Sequence, residues 1–370
     1  MRILHVTQSD GGVASVVTDL VRDQAERGWD PVVACPAGTV LAQLVQRDGV
    51  EYRQWEATRS PGISVPAETA RLRRIIDEVR PDVVHLHSSK AGMVGRLLLR
   101  GRIPTIFEPH LWSFDAQGGA IAKPALLWER FATRWTDSFL CVSDDELAAG
   151  RAAGITGPAE VVFNGVDTSR IVPGDRAAAR ASLGLGDGPI ALCLARLAPL
   201  KGQDFLLQAW PDVLAQVPDA TLMFVGDGPL AGELAALPGG THPSIRWEGF
   251  SSDPVPYLAA CDVVVVPSRA EGMALVPLEA LASGRPVVGY AVSGMRHTVG
   301  DCAGTVLEIG DVPGLAREVA RRLADRTLAA DEGRRGRARA VEVLDQNAAS
   351  QQVAELVERV ASRSRAQVHA

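Results

Sequence analysis

The chain has 370 residues, which is too long for one ordinary hydrophobic core and fits two domains. With 46% hydrophobic and 22% charged residues it has the composition of a soluble globular protein, and its net charge of -6 does not favour a nucleic-acid binder. No apolar run is long enough to cross a bilayer, and the chain leads directly into a predicted strand, so we expect a cytoplasmic protein without a secretory signal.

The first half of the chain alternates apolar strands with amphipathic helices. The first predicted helix, 13–27, has apolar residues three to four apart from Val13 to Val21. Further helices are predicted over 68–79 and 92–100, and strands over 2–6, 32–35, 81–87, 104–108, 138–142 and 160–163. This alternation indicates a parallel sheet covered by helices on both faces.

The stretch 164–175 is rich in turn-forming residues and predicts a domain boundary. The alternation then restarts, with strands predicted over 190–195, 221–225, 244–248, 262–266 and 286–289, a helix over 206–217, and a second helix that follows the strand 262–266 and ends near Ser283. Residues 312–360 are predicted to be helical, with a break near Gly333 to Gly336. We therefore predict two Rossmann-like α/β domains with parallel sheets facing across a cleft, 1–168 and 169–345, followed by a C-terminal helix, 346–370.

Two carboxylates flank the turn between the strand 262–266 and the helix that follows it. Glu271 lies on the loop, and Glu279 lies about two helical turns along. Such a turn directs free backbone N–H groups toward a phosphate or a polar sugar. A carboxylate also accepts hydrogen bonds from the hydroxyl groups of a sugar, although capping or solvated glutamates would give the same pattern.

Arg196 and Lys201 lie on the loop after the first strand of the second half. Open parallel sheets bind ligands at the carboxyl ends of their strands. An arginine fork and a lysine point charge could together clamp a diphosphate, and the alternative is a pair of solvated surface cations.

Gly11 and Gly12 begin a helix directly after the first strand, where glycine lets a ligand approach the backbone and the helix N-terminus favours an anion. A plain tight turn is the alternative. The stretch is not the G-x-G-x-x-G fingerprint, and no acidic residue ends the second strand, so NAD binding is not supported.

Two histidines, His85 and His87, alternate at the end of a predicted strand, and a third, His110, follows another strand. We expect His85 and His87 to face opposite sides of their strand, so that one packs in the core and a metal site is not favoured. His110, at a strand end, is the better candidate for a contact with substrate. The five cysteines are scattered through apolar runs, which predicts reduced thiols rather than disulfides or zinc ligands. No D-x-D motif offers ligands for a metal-bridged nucleotide sugar, so we expect no metal and no cofactor.

Four aromatic residues precede the strand 138–142. Trp112, Trp128, Phe131 and Trp135 could stack on a sugar or face a lipid. Because the last three have helical spacing, core packing is the expectation.

Several short motifs, in order along the chain, resemble one enzyme family. They are the glycines 11 and 12, N-G-V-D at 164–167, R-x4-K at 196–201, G-x-G-P at 226–229 and E-x7-E at 271–279. Together they resemble the retaining glycosyltransferases of the GT-B fold, in the large glycogen-synthase-like fourth family (glycosyl transferases group 1), of the bacterial polysaccharide and glycoconjugate type. The resemblance covers nearly the whole chain.

The resemblance implies a role for each matching residue. Glu279 would bind the nucleotide ribose, and Glu271 would contact the hydroxyls of the donor sugar. Arg196 and Lys201 would neutralise the diphosphate leaving group, and His110 would lie beside the reacting sugar. Further donor contacts are implied for Gly11, Gly12, Gly226, Gly272, Met273, Ala274 and Leu275. The C-terminal helix would cross back to the first domain, and an acceptor attacking from the leaving-group face would retain the anomeric configuration.

The resemblance leaves substrates open. The segment 85–92 is most similar to members that build bacterial surface polysaccharides, which favours a UDP-sugar donor. The acceptor is expected to be a glycan, a lipid-linked sugar or a small molecule, bound by the first domain, with a peripheral membrane contact left open and no protein partner inferred. The alternatives are a GDP-sugar-dependent mannosyltransferase, an isomerase similar to UDP-N-acetylglucosamine 2-epimerase, and a non-catalytic nucleotide-sugar sensor.

Overall fold

A computed structural model of the chain describes residues 1–8, 11–58, 62–116 and 122–368, with side chains described as far as residue 362. The chain divides into two units, the first formed by Met1–Asn164 and the segment from Asn347 onward, the second by Gly165–Gln346. Each is an α/β unit built on a wholly parallel sheet, which confirms the predicted fold class.

Seven strands form the sheet of the first unit. They are β1 Arg2–Thr7, β2 Asp30–Cys35, β3 Glu51–Gln54, β4 Val83–His87, β5 Thr105–Glu108, β6 Ser138–Cys141 and β7 Ala159–Val161. The helices between them are α1 Gly12–Glu26, α2 Val40–Arg47, α3 Val65–Val79, α4 Ser88–Leu99, α5 Ser113–Ala116, α6 Ala122–Ala132 and α7 Asp144–Ala152. The sheet order is β3-β2-β1-β4-β5-β6-β7, so the strand order reverses between β1 and β4.

Six strands form the sheet of the second unit. They are β8 Ile190–Leu194, β9 Thr221–Val225, β10 Ile245–Trp247, β11 Val263–Val266, β12 Val287–Tyr290 and β13 Gly304–Leu307. The helices are α8 Arg176–Ser182, α9 Gln203–Gln216, α10 Ala231–Ala236, α11 Val255–Ala260, α12 Leu275–Ala282, α13 Met295–Val299, α14 Val312–Ala324 and α15 Arg326–Val343. The order β10-β9-β8-β11-β12-β13 reverses at β8.

Strand β4 illustrates how the first sheet is buried on both faces. Val84 and Leu86 pack into one cluster with residues of α3 and α4. Val83, on the opposite face, packs into a second cluster with Ile3 and Ile106. Near-continuous apolar strands are what a parallel sheet with two covered faces requires.

The last helix, α16 Gln346–Val368, covers the second of these faces. Val353, Leu356, Val357 and Val360 follow helical spacing and join the cluster of Ile3 and Val83. The C-terminal segment therefore belongs to the core of the first unit.

The predicted break near Gly333 and Gly336 is wrong, because α15 runs through both residues. A Cβ on Gly333 would lie 2.1 Å from the carbonyl oxygen of Gly284, and one on Gly336 would lie 2.8 Å from a side-chain carbon of Leu281. The glycines allow α15 to approach α12 closely. The helical segment is instead interrupted at Asp325, which separates α14 from α15, and after Val343.

Four of the five cysteines are buried, and none of the five forms a disulfide. Burial raises the pKa of the Cys193 and Cys261 thiols to about 12, so these two thiols stay protonated at neutral pH. In the described part of the chain no helix combines the length and the apolar content of a membrane span.

Candidate active site

The second unit carries its predicted site residues where its strand order reverses. β8 lies between β9 and β11, and the loops that follow β8 and β11 contain Lys201 and Glu271. The carboxyl ends of strands at such a reversal are the usual ligand site of an open parallel sheet.

Lys201 and Glu271 form an ion pair at this edge. The Lys201 Nζ lies 2.7 Å from Oε1 and 2.8 Å from Oε2 of Glu271, and the Ser268 hydroxyl donates a hydrogen bond to Oε1 at 2.7 Å. The side chains of Lys201 and Glu271 are 30% and 11% exposed, so a ligand can reach them. The structure thus brings together the predicted phosphate cation and the predicted sugar carboxylate. The exposed side chain of Arg196 makes no ion pair with any residue that the structure describes.

Glu279 lies one turn into α12 rather than two, because the helix begins only at Leu275. Ala274 is the residue at its N-cap, and no described side chain caps the helix there. The first turn of α12 therefore offers backbone N–H groups to a ligand oxygen, beside the predicted contacts Gly272 and Met273.

Two glycines hold the loops of this edge against one another. Gly202 has φ 65°, and a Cβ there would lie 2.0 Å from the Pro267 carbonyl oxygen. Gly226 has φ 141°, and a Cβ there would lie 2.0 Å from the Ala195 carbonyl oxygen. Only glycine permits these contacts, which fix the loops after β8, β9 and β11 together.

The first unit carries its own candidates at the reversal between β1 and β4. α1 begins at Gly12, and Gly11 precedes it with φ 73° and no side-chain cap from the described residues. His110 follows β5 with φ 57°, a left-handed conformation that is uncommon outside glycine. Its ring is 9% exposed and lies with Nε2 3.1 Å from Nδ1 of His87.

Sequence comparisons decide the family. The model of Glycosyltransferase Family 4 matches residues 10–170, and that of Glycosyl transferases group 1 matches residues 188–325. The GDP-mannose-dependent alpha-(1-6)-phosphatidylinositol monomannoside mannosyltransferase of Mycolicibacterium smegmatis is 36% identical over 291 residues, 74% of this chain and 75% of that protein. The chain belongs to glycosyltransferase family 4.

A second relative and a solved structure resemble the chain over a larger share of its length. D-inositol 3-phosphate glycosyltransferase 1 of Catenulispora acidiphila is 33% identical over 353 residues, 85% of this chain and 82% of that protein. Anabaena HepE, solved in complex with UDP-glucose, superposes with a TM-score of 0.84 over 97% of this chain and 100% of that chain, at 23% identity. The structural likeness confirms the GT-B fold, and the family makes the chain a sugar-transferring enzyme.

Sequence reasoning missed one group beside the candidate site. Arg269 donates to both oxygens of Asp204, at 2.7 and 2.6 Å, and its guanidinium carbon lies 3.9 Å from the centre of the Phe205 ring. The hydrogen bonds from Arg269 lower the pKa of the Asp204 carboxyl. A signal was available in the sequence, because Asp204 lies three residues after Lys201 and Arg269 lies two residues before Glu271.

The prediction that His85 and His87 face opposite sides of β4 is wrong. Side chains alternate with a period of two along a strand, so residues two apart share a face. The two rings stack with centroids 4.0 Å apart, and His5 Nδ1 lies 3.0 Å from His87 Nε2. Burial first, and then the neighbouring His85, lower the pKa of His5 to about 3 and that of His87 well below its ordinary value.

Glu108 supplies the negative charge of this cluster. Its Oε2 lies 3.0 Å from His85 Nε2 and 3.1 Å from His87 Nδ1. Burial alone would raise the pKa of this carboxyl, but His110 and the other two rings hold it well below its ordinary value. Donor atoms of His5, His85 and His87, and also of His87, Glu108 and His110, lie within 4.8 Å of one another. The His5–His87 and His87–His110 contacts have hydrogen-bond geometry, whereas Glu108 Oε2 and the His85 nitrogens are close to their neighbours without forming a hydrogen bond, so we interpret the cluster as a hydrogen-bonded line of rings beside a carboxylate.

The expectation that Trp128, Phe131 and Trp135 pack in the core is also wrong. Phe131 is 43% exposed, and Trp128 and Trp135 are only half-buried. The three rings contact one another, with centroids 5.0 Å apart for Phe131 and Trp135. Helical spacing correctly placed these residues on one face of the helix. Whether that face packs on the core or faces solvent depends on tertiary packing, which spacing does not reveal. Trp112 alone is buried, at 2% exposure.

Proposed function

We propose that this family 4 enzyme transfers a sugar from a nucleoside-diphosphate donor to a hydroxyl group with retention of the anomeric configuration. The observation that carries the proposal is the Lys201–Glu271 ion pair at the strand reversal of the second unit. It pairs a cation suited to a diphosphate with a carboxylate suited to sugar hydroxyls.

The proposed reaction breaks the bond between the sugar C1 and the phosphate oxygen and forms one between C1 and the acceptor oxygen on the same face. The acceptor proton passes to a phosphate oxygen of the departing diphosphate. Lys201 and Arg196 stabilise the charge that develops on the diphosphate, and preorganised charges of this kind are usually the largest catalytic term. Glu279 is proposed to hold the ribose, and Gly11, Gly12, Gly226 and His110 keep their predicted contacts with donor.

GDP-mannose is the first candidate donor. The relative from Mycolicibacterium smegmatis is named for its dependence on this donor, at 36% identity. A UDP-sugar is the second candidate, favoured by the resemblance of the segment 85–92 to members that build surface polysaccharides.

A phosphorylated inositol, free or lipid-linked, is the proposed acceptor class. The acceptors named for the two relatives, phosphatidylinositol monomannoside and D-inositol 3-phosphate, share an inositol carrying a phosphate. Both candidate donors and both acceptor forms can be tested on the purified full-length chain.

Thermal unfolding with GDP, UDP, GDP-mannose and UDP-glucose tests the donor. A ligand at 100 times its dissociation constant adds about 2.7 kcal/mol to the free energy of unfolding, which raises the midpoint by several degrees. We expect GDP-mannose to give the largest rise and to release GDP when inositol 3-phosphate is added. If no nucleotide shifts the midpoint, the proposal fails. Proton NMR of UDP-N-acetylglucosamine with the enzyme tests the isomerase alternative, for which a 2-epimer would accumulate without acceptor.

A further inference from the structure

A line of buried side chains connects α1 to His110. The Oε1 of Gln24 lies 2.8 Å from His5 Nε2, His5 Nδ1 lies 3.0 Å from His87 Nε2, and His87 Nδ1 lies 3.1 Å from His110 Nε2. Gln24, His5 and His87 are at most 1% exposed. Since each neutral imidazole has one N–H and one lone pair, all the hydrogen bonds of this line must point the same way.

Two directions are therefore open to the line. If the N–H groups point toward Gln24, His110 carries its proton on Nε2 and His87 has a lone pair on Nδ1. If they point toward His110, His87 carries its proton on Nδ1 and His110 carries its own on Nδ1. The tautomer of His110 is thus coupled to the direction of the whole line.

Glu108 distinguishes the two directions. Its Oε2 lies 3.1 Å from His87 Nδ1, and its Oε1 lies 3.5 Å from His110 Nδ1. An ionised carboxylate attracts an N–H at each of these nitrogens and repels a lone pair there. Burial first, partly opposed by the charge of Glu108, lowers the pKa of His110, which agrees with a neutral ring beside this carboxylate.

At the far end of the line the Gln24 oxygen faces His5 Nε2, so the direction toward His110 requires the amide of Gln24 to be rotated. With its oxygen on His5, the Gln24 amide leaves its Nε2 buried without a partner. Rotating that amide places an N–H on His5 Nε2, as this direction requires, and leaves a buried oxygen unpaired instead. Unpaired buried carbonyl oxygens are less rare than unpaired buried N–H groups.

We propose that Glu108 sets the direction of the Gln24–His5–His87–His110 line and so holds His110 as the neutral tautomer protonated on Nδ1. Glu108 and His87 are then positioning residues, and His110 meets substrate as a fixed neutral ring rather than as an acid or a base. The kinetic part of this inference rests on the proposed function, whereas the tautomer does not.

The charges around the line come from several elements. His5 on β1, His85 on β4 and Glu108 on β5 face the His87 ring directly. Behind them, the charge of Glu108 contributes to the raised pKa of Cys141 on β6 and of Glu146 on α7. Burial raises the pKa of Glu146 to about 8, so at neutral pH this carboxyl adds little charge and Glu108 is the anion that orients the rings.

Nitrogen-15 NMR of the full-length chain labelled at its seven histidines tests the tautomer directly. His110→Gln identifies the His110 signals by their loss. We expect the wild-type ring to be neutral and protonated on Nδ1 from pH 6 to 8. A ring protonated on Nε2, a cationic ring at pH 7, or tight binding of one equivalent of Zn²⁺ that shifts these signals would each overturn the proposal, and each outcome is read from the wild-type chain, with the variant used only for assignment.

Glu108→Gln provides the second test, because a carboxamide can donate to His87 Nδ1 and so reverse the line. We expect the His110 proton to move to Nε2 and kcat to fall about 10- to 100-fold, with the donor KM within about 2-fold. Glu129→Gln is the matched control, since Glu129 is equally buried and pairs with Arg96 in the same unit. The control should leave the His110 tautomer unchanged. An unchanged tautomer or unchanged kcat in Glu108→Gln would contradict the positioning role, whereas absence of transfer by the wild type would contradict only the proposed function.

Discussion

The Lys201 ammonium is shared between both oxygens of Glu271. In the proposed site, a diphosphate bound beside Lys201 would compete with that carboxylate for the ammonium. Weakening the ion pair would free Glu271 oxygens to accept hydroxyl groups of the sugar. The same contact can therefore serve the two halves of a donor in turn, which is why we treat the pair rather than either residue as the centre of the site.

Glu279 gives the first prediction at the scale of the residue. If it binds the ribose hydroxyls, Glu279→Ala removes hydrogen bonds to a charged group, each contributing about 1.5–3 kcal/mol. We expect donor affinity to fall about 10-fold or more while kcat at saturating donor changes little. Calorimetric titration with the donor nucleotide measures this loss.

Glu233→Ala is the matched control for that experiment, because Glu233 is an exposed helical glutamate in the same unit. The control should bind nucleotide as the wild type does. Equal affinity for the Glu279 variant and the control would remove Glu279 from the site.

Glycines act at the scale of the element, where they set how closely helices and loops approach. Gly333 shows the effect, since α15 continues through it and packs against the backbone of Gly284. A glycine in a helix can therefore indicate a close helix contact as well as a helix end. The structure distinguishes the two by the space around the missing Cβ.

Gly333→Ala should destabilise the second unit although alanine is the better helix former. The added Cβ would meet the Gly284 carbonyl oxygen at 2.1 Å, and overpacking of this kind costs about 1–3 kcal/mol. The matched control is Gly232→Ala in α10, where a Cβ meets nothing within 4 Å and propensity alone should be neutral or favourable. Urea unfolding measures the free energy of unfolding of both variants. Equal stability would contradict the close contact and indicate that Gly333 is only a weak helix former at this position.

At the scale of the whole molecule, the strands and their parallel order could be predicted from the sequence because buried parallel strands are continuous apolar runs. Short or half-exposed elements such as α2 and β3 lack that signal and were not predicted. The contact of Lys201 with Glu271 joins residues 70 positions apart, so spacing alone could suggest both residues but not their pairing. The stacking of His85 on His87 could have been predicted from the sequence, because residues two apart on a strand share a face. The prediction failed because this rule was applied to them in reverse.

The stability of the whole chain should fall as the pH is lowered from about 6.5. His5, His87 and His110 have pKa values depressed in the folded state, so below their ordinary value of 6.5 the unfolded chain binds more protons. Each extra proton that the unfolded chain binds lowers the free energy of unfolding by about 1.4 kcal/mol for every pH unit of acidification. Glu146 opposes this trend, because its pKa is raised from 4.5 to about 8 in the folded state. Between pH 4.5 and about 8 the folded chain therefore holds one proton on Glu146 that the unfolded chain releases.

Thermal or urea unfolding between pH 7.5 and 5 measures this dependence. The expected result is a progressive loss of stability below pH 6.5, with a smaller slope in His5→Gln because one of the three histidines that bind a proton on unfolding is removed. Stability that stays constant or rises toward pH 5 would show that the histidines are not held neutral in the folded chain.

We expect this chain to transfer a sugar with retention and to depend on the Lys201–Glu271 pair for it. The most direct measurement is proton NMR of the product formed from GDP-mannose and inositol 3-phosphate by the wild type, Lys201→Ala and Lys123→Ala, the last an exposed-lysine control. We predict an α-linked product from the α-linked donor, made at the wild-type rate by the Lys123 variant and about 100- to 1000-fold more slowly by the Lys201 variant. A β-linked product, or equal rates for the two variants, would contradict the account.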